Sequence, residues 1–401
     1  MSVAQRAGGA PPSIFRTGLI LGLLSTLGPL AIDLYLPAFP EIGRELGGTP
    51  ADVQRSLSIF FLALAAAQIP WGSLGDRLGR KRPLYAGLVL FLFATAGCAL
   101  ARDTGTLIAL RFVQGFGICA ATAISRAMIR DLYTGHQAAR LLAFSYLIIG
   151  ISPVLAPFVG SQLLRLFDWR ALFWLQAILG VAGLILAAFA LPESLPRARR
   201  LAIHPAALLA TYGSLLRNRR FMAAAAAAGL ATTTPFAFLT AAPFVFTAAY
   251  GLSPTGYSAL LGLAAICSIG TTQVSPDLMR RLGARRHLAL TTASGAALSL
   301  VLAGLALANA LPLPLFMALI MALFMIVGLT LTPAAVTALD AAQAAGAAAA
   351  MLGTLQLAVT AFASAALTVF SAHSAVPLAL LLVVAWLVAA GCARAAFRPQ
   401  R

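Results

Sequence analysis

Asp33 places a carboxyl group near the end of Thr17–Leu36, an apolar run long enough to cross a bilayer. Of the 11 acidic residues it is the only one well inside such a run. Glu41, Glu45, Asp52, Asp103 and Asp168 fall in connections on one side, and Asp76, Asp131, Glu193, Asp277 and Asp340 in connections or span ends on the other. A charged side chain at mid-bilayer costs about 2.5–3.5 kcal/mol to insert, so an acid retained there is a functional candidate. The chemistry open to it is uptake and release of a proton, or the holding of a cation. Arg111 lies inside another apolar run, roughly 9 Å from its outer end against roughly 6 Å for Asp33, and the two are expected to meet. Read structurally, the pair docks the first span on the fourth. Read functionally, Asp33 faces a central cavity where dehydration favours the neutral acid and a guanidinium or cationic guest favours the carboxylate, so proton and guest compete.

The elements that position these two residues follow from composition. The chain has 401 residues, 61% of them hydrophobic and only 10% charged, with a mean hydropathy of +0.92. That is more apolar surface than a soluble fold hides, so a bilayer is the solvent for most of it. Backbone groups facing lipid must be bonded within their own segment, which makes the spans helices. Apolar runs place them near 17–37, 55–74, 83–101, 105–126, 140–163, 171–191, 221–246, 256–276, 286–308, 312–333, 346–370 and 376–393, about twelve in all. With the N-terminus in the cytoplasm, twenty-one of the 28 basic residues fall on inner loops and tails and five on the outside. This bias predicts both termini inside. The formal charge of +17 therefore records topology, and no nucleic-acid partner is expected. The first run lacks a small-residue cleavage site and is expected to remain as helix one. Cys98, Cys119, Cys267 and Cys392 fall singly within spans and read as packing residues.

A Pro- and Arg-rich stretch at 192–220 divides the chain into an N-terminal six-helix bundle (1–191) and a C-terminal one (221–401), joined by a cytoplasmic linker with a short surface helix near Pro205–Leu216. An internal echo agrees with this division. "GSLGDRLGRKRPL" (Gly72–Leu84) sits between spans two and three, and "SPDLMRRLGARR" (Ser275–Arg286) between spans eight and nine, with Leu78-Gly79 matching Leu282-Gly283 at a shift of 204 residues. In the first copy Gly72 and Gly75 permit close helix approach, and Asp76 can accept from helix N-terminal amides or from an arginine across the bundle. Gly79 turns the chain, while Arg80, Lys81 and Arg82, beside Arg77, are expected to hold the loop on the anionic inner surface.

As a whole this loop resembles the G-x-x-x-D-R-x-G-R-[RK] signature of the major facilitator superfamily. "IDLYLPAFPEI" (Ile32–Ile42) and "RFVQGFG" (Arg111–Gly117) resemble the first- and fourth-helix motifs of its drug:proton antiporters. "GISPVLAPFVG" (Gly150–Gly160) resembles their fifth-helix antiporter motif, with Ala156 in place of the usual Gly. "ISRAMIRDLY", "FDWRALFW", "LTAAPFVF" and "LPES" are similar to the bicyclomycin- and chloramphenicol-resistance branch. The resemblance implies the major facilitator fold of twelve transmembrane helices in two six-helix bundles, in a bacterial inner membrane. It also implies alternating access, with a small drug exported against protons. The alternative is an uptake symporter or facilitator for a small metabolite, because this fold serves both.

Proton coupling is expected of Asp33 and Arg111. Cavity walls for varied amphipathic drugs need apolar and aromatic surface, and the candidates are Tyr35, Gln114, Tyr146, Phe236, Phe238 and Phe244, with Met321 and Met325 as adaptable fillers. Gly150, Pro153, Pro157 and Gly160 should bend the fifth span and let it pack closely, as an ordinary kink or as a gate. "GFGICA" fits a dinucleotide pattern but lies within a span without a preceding strand. No metal-ligand spacing, cofactor motif or catalytic constellation appears, so neither an enzyme nor a metalloprotein is expected. The expected partners are a small drug, protons and the bilayer, and the chain is expected to act as a monomer.

Overall fold

The computed structural model describes residues 14–133, 135–200, 205–342, 345–367 and 375–397. Every regular element among them is helical. In chain order the helices of the first half are α1 (Ile14–Asp33), α2 (Phe39–Glu45), α3 (Pro50–Leu78), α4 (Lys81–Ala99), α5 (Thr104–Leu132), α6 (Gly135–Leu166) and α7 (Arg170–Ala190). A connecting helix α8 (Pro205–Arg217) leads to α9 (Arg219–Tyr250), α10 (Pro254–Leu282), α11 (Ala284–Leu307), α12 (Leu313–Asp340), α13 (Ala345–Leu367) and α14 (Val376–Ala395). Eleven spans among the described residues are long and apolar enough to cross a membrane. The 32-residue α6 stands at the fifth of the twelve positions read from the sequence.

Local chemistry sets the helix ends. Thr49 caps α3 in a reciprocal box with Asp52. Asp103, Asn218 and Ser253 cap α5, α9 and α10 by accepting from backbone amides. The sequence places one span over 17–37, whereas α1 stops at Asp33 and passes through a 3-10 turn at Leu36–Ala38 into α2. Pro37 explains the break, because it lacks the backbone donor that a continued α1 would need there, whereas Pro40 falls in the first turn of α2, where no donor is required. Other helices overrun their apolar spans by several residues, since a capped end continues past the hydrocarbon.

The packing repeats. In the first half α3 and α4 lie against α5, α1 against α5, α6 and α7, and α4 against α7. In the second half α10 and α11 lie against α12, α9 against α12, α13 and α14, and α11 against α14, the same pattern one half-chain on. The contacts between the halves are also a matched pair, α3 with α13 and α6 with α10. Gly79 and Gly283, the pair 204 residues apart, both have positive φ, at +90° and +76°. Phe93, Ile178, Phe189, Phe362 and Val384 are exposed, which suits a surface whose solvent is lipid. Inside, Trp386 donates to Thr234 Oγ1 at 2.9 Å and lies flat against Gly295, where a Cβ would come within 2.2 Å of the indole.

Candidate functional site

Asp33 closes α1 with its carboxyl turned towards α6. Ser152 donates from Oγ to Asp33 Oδ2 at 2.9 Å, and both side chains are buried. Arg111, near the start of α5, is fully buried. Its guanidinium lies over the rings of Phe60 and Tyr35, 4.1 and 4.6 Å from their centroids, an arrangement in which the ring faces attract the cation. Nη1 donates to the carbonyl of Ala31 at 3.1 Å and to Gln114 Oε1 at 2.6 Å, whereas Nε and Nη2 have no hydrogen-bond partner. Gln114 Nε2 then donates to Thr95 Oγ1 at 2.8 Å and Gln176 Oε1 at 3.0 Å. A buried polar chain thus links α1, α5, α4 and α7.

Among the described residues no ion pair joins Asp33 to Arg111, which corrects the expected meeting of the two. The reason is angular. Residues two apart on a helix face about 200° away from each other, so a helix end that offers Ala31 and Tyr35 to α5 turns Asp33 to α6.

The expected cavity wall is also corrected in part. Tyr35 is buried against Phe39 and Phe173, with its hydroxyl 2.8 Å from Ser56 Oγ, and Gln114 is enclosed in the chain above. Phe238 packs on Phe246 and Phe324 within the second half. Met321 is half-buried against the core, whereas Met325 is 43% exposed and so keeps the accessibility that a cavity wall needs. Helical rotation decides these outcomes, and apolar residue type does not reveal it. Phe236 reaches across the halves, edge-on to Phe61 at 4.7 Å. The side chains of Tyr146 and Phe244 lie outside the described residues.

The loop between α3 and α4 forms a bonded cluster. Arg80 is buried and bridges Asp76 at 2.7 Å and Asp131 at 2.7 Å, so it faces inward and not towards the headgroups as expected. Burial works against its charge, but the two acids outweigh that and raise its proton affinity above the ordinary arginine value. Asp76 thus bonds within its own loop, not across the bundle. Glu193 accepts from the backbone amides of Arg80 and Lys81 at 2.8 and 3.3 Å, Ser194 donates to Asp131 at 3.0 Å, and Lys81 Nζ donates to the carbonyl of Ala188 at 3.1 Å. Arg77 remains exposed. Gly75 meets Ile124 of α5 closely, with a Cβ position 2.6 Å from Cδ1, whereas nothing lies within 4 Å of one at Gly72. Close approach therefore uses one of the two glycines.

On α6, which is helical through Pro153 and Pro157, a Cβ at Gly150 would lie 2.9 Å from Ile269 of α10, and one at Gly160 2.8 Å from the carbonyl of Leu34. Ser152 and Gln176 did not stand out in the sequence reading. Their signal is an isolated hydrogen-bonding side chain in a long apolar run.

Residues 21–364 match the family model of the Major Facilitator Superfamily. The chain belongs to the major facilitator superfamily. Among its relatives are an uncharacterised transporter of that type, YdgK, from Bacillus subtilis, 37% identical, and a bicyclomycin resistance protein homologue from Haemophilus influenzae, 28% identical. A third is the multidrug resistance protein MdtL from Escherichia coli, 31% identical. The alignments cover 61%, 69% and 63% of this chain and 61%, 69% and 64% of the relatives, so the first and third span less than two thirds of those proteins. These names agree with the motif resemblance to the bicyclomycin- and chloramphenicol-resistance branch. A D-xylose-proton symporter and the nucleoside transporter NupG share the fold, with TM-scores of 0.73 each at 18% and 12% identity. They cover 94% and 96% of this chain, and the matches take in 97% and 100% of theirs. The chain is accordingly a multi-pass membrane protein of that superfamily.

Proposed function

We propose that this facilitator exports small drugs of the bicyclomycin or chloramphenicol kind in exchange for protons, by alternating access, with Asp33 carrying the proton. Residues 1–191 and 221–401 are the bodies that rock, 192–220 is their cytoplasmic tether, and both termini face the cytoplasm of a bacterial inner membrane. The observation that carries this reading is the enclosure of Asp33. It is a single acid within an apolar run, buried between helices and held by one hydroxyl, and among the described residues no cation pairs with it. Taking up a proton changes the charge of a dehydrated site by a full unit, which is the kind of event that favours one conformation over another. Arg111 supports it as a fixed positive charge nearby. The resistance names of the relatives favour export, while likeness to the xylose symporter extends to fold alone.

Expression in an efflux-deficient bacterial host is expected to raise resistance to chloramphenicol, bicyclomycin or a wider drug panel. Asp33→Asn is expected to remove that resistance and pH-gradient-driven uptake into inverted vesicles, while exchange of labelled drug without a gradient continues. Undiminished gradient-driven transport by the Asn variant would contradict the reading.

A further inference from the structure

One hydrogen bond ties the enclosed acid to the helix that meets the other half. Ser152 lies on α6 with its hydroxyl 2.9 Å from Asp33 Oδ2, and the side chain is 2% exposed. Two residues earlier Gly150 faces the opposite way, towards Ile269 of α10, so closely that a methyl group there would stand 2.9 Å from Cδ1. Helical rotation of about 200° between such positions puts α1 on one face of α6 and the second half on the other. Eight residues further on, Gly160 rests on the carbonyl of Leu34, directly after Asp33. α6 is therefore clamped to the end of α1 at two points about 12 Å apart along its axis.

The clamp at Ser152 depends on charge. A hydroxyl donating to a carboxylate makes a charge-assisted bond roughly twice as strong as the bond to a neutral acid. When Asp33 takes a proton, the hydroxyl has a competing acceptor in the carbonyl four residues back on its own helix. Ser25, Thr26 and Thr95 bond in that way, at 2.8, 2.8 and 2.6 Å. Other charged groups on the elements packed around Asp33 do not stand in for the serine. On α5, Arg111 is turned to Ala31 and Gln114. On α7, Arg170 is at the outer end, paired with Glu45. Arg165 of α6 is exposed near that helix's outer end.

We propose that Ser152 is the positioning residue through which the charge state of Asp33 is passed to α6 and on to the α6–α10 seam between the halves. This rests on the reading of Asp33 as the proton carrier. Loss of the hydroxyl removes a donor that favours the carboxylate, so the acid keeps its proton to higher pH.

The test is an infrared titration of the carboxyl absorption of the purified full-length protein without drug. Subtraction of Asp33→Asn identifies the Asp33 signal, and hydrogen exchange over residues 148–160 is followed across the same pH range. Ser152→Ala is expected to raise the Asp33 midpoint by about one pH unit and to abolish the pH dependence of α6 exchange. Ser152→Thr, which keeps the hydroxyl, should retain both. An unchanged midpoint in Ser152→Ala, or α6 exchange that still follows pH, overturns the assignment to Ser152. A titration of the unsubstituted protein that matches that of Asp33→Asn, leaving no difference signal, instead overturns the reading beneath it.

Discussion

Arg111 is a buried cation that makes no ion pair among the described residues, and this decides how its neighbourhood responds to change. Two aromatic faces and two acceptors hold it, and two of its nitrogens have no partner. Replacing a poorly compensated buried charge by an apolar side chain of similar reach is commonly neutral or stabilising. Arg111→Met is therefore expected to leave the melting temperature of the detergent-solubilised protein unchanged or a few degrees higher. Gln114→Leu should act in the opposite sense. It strips the buried Gln176 amide of its donor and Arg111 of an acceptor, which costs about 1–3 kcal/mol and lowers the melting temperature. A drop in the Met variant as large as that in the Leu variant would show that the guanidinium itself holds the bundle together. Both charged residues were legible in the sequence because an ionised group in an apolar run stands out. Their pairing was not, since depth along a helix can be counted from sequence but rotation about its axis is set by packing. Asp33 and Tyr35, two residues apart, took opposite sides.

Among elements, the two loops of the repeat share a backbone conformation and differ in what surrounds it. Gly79 and Gly283 both sit at positive φ with extended ψ, a region that costs a residue bearing a Cβ about 1–3 kcal/mol. At Gly283 nothing lies within 4 Å of the Cβ position, so Gly283→Ala should cost that strain alone. At Gly79 the same atom would fall 2.6 Å from Glu193 Oε2 and 2.7 Å from Arg200 Nη2. Gly79→Ala must then also displace the carboxylate that accepts from the amides of Arg80 and Lys81. It is expected to be the more damaging by at least about 1 kcal/mol, measured as the difference in unfolding midpoint between the two variants. Equal losses would mean that Glu193 moves aside freely. The sequence showed the turn, the repeat and the charge cluster, because Gly and Arg are informative at short spacing. It did not show that Arg80 turns inward or that Glu193 lies beside Gly79, since their contact joins positions more than 110 residues apart.

At the scale of the whole molecule the least legible feature was the seam. Facing lipid or facing another helix, an apolar side chain looks the same in sequence, because the hydrocarbon is as apolar as leucine. The seam that folding selects is uneven. One buried apolar cluster runs through both halves and includes, from the second, residues of α9 such as Phe238 and Phe246 together with Phe316 and Leu367. A separate cluster gathers the chain-terminal side of the second half, from Leu215 and Phe221 to Ala393 and Ala396, without any residue of α1 to α7. The halves are therefore knitted in the middle and on the side away from the termini, where Gln54 donates to the carbonyl of Thr240 at 3.2 Å and α2 lies against α9. If transport requires that side to open, tying it shut must stop the cycle. In a background with Cys98, Cys119, Cys267 and Cys392 replaced, Gln54→Cys with Thr240→Cys joined by a short bis-methanethiosulfonate, which forms a disulfide with each thiol by displacing sulfinate, is expected to arrest transport, and reduction of the linker to restore it. Undiminished transport with the cross-link formed in most molecules would mean that α3 and α9 stay together throughout the cycle. The opening would then have to lie elsewhere along the α3–α13 and α6–α10 contacts.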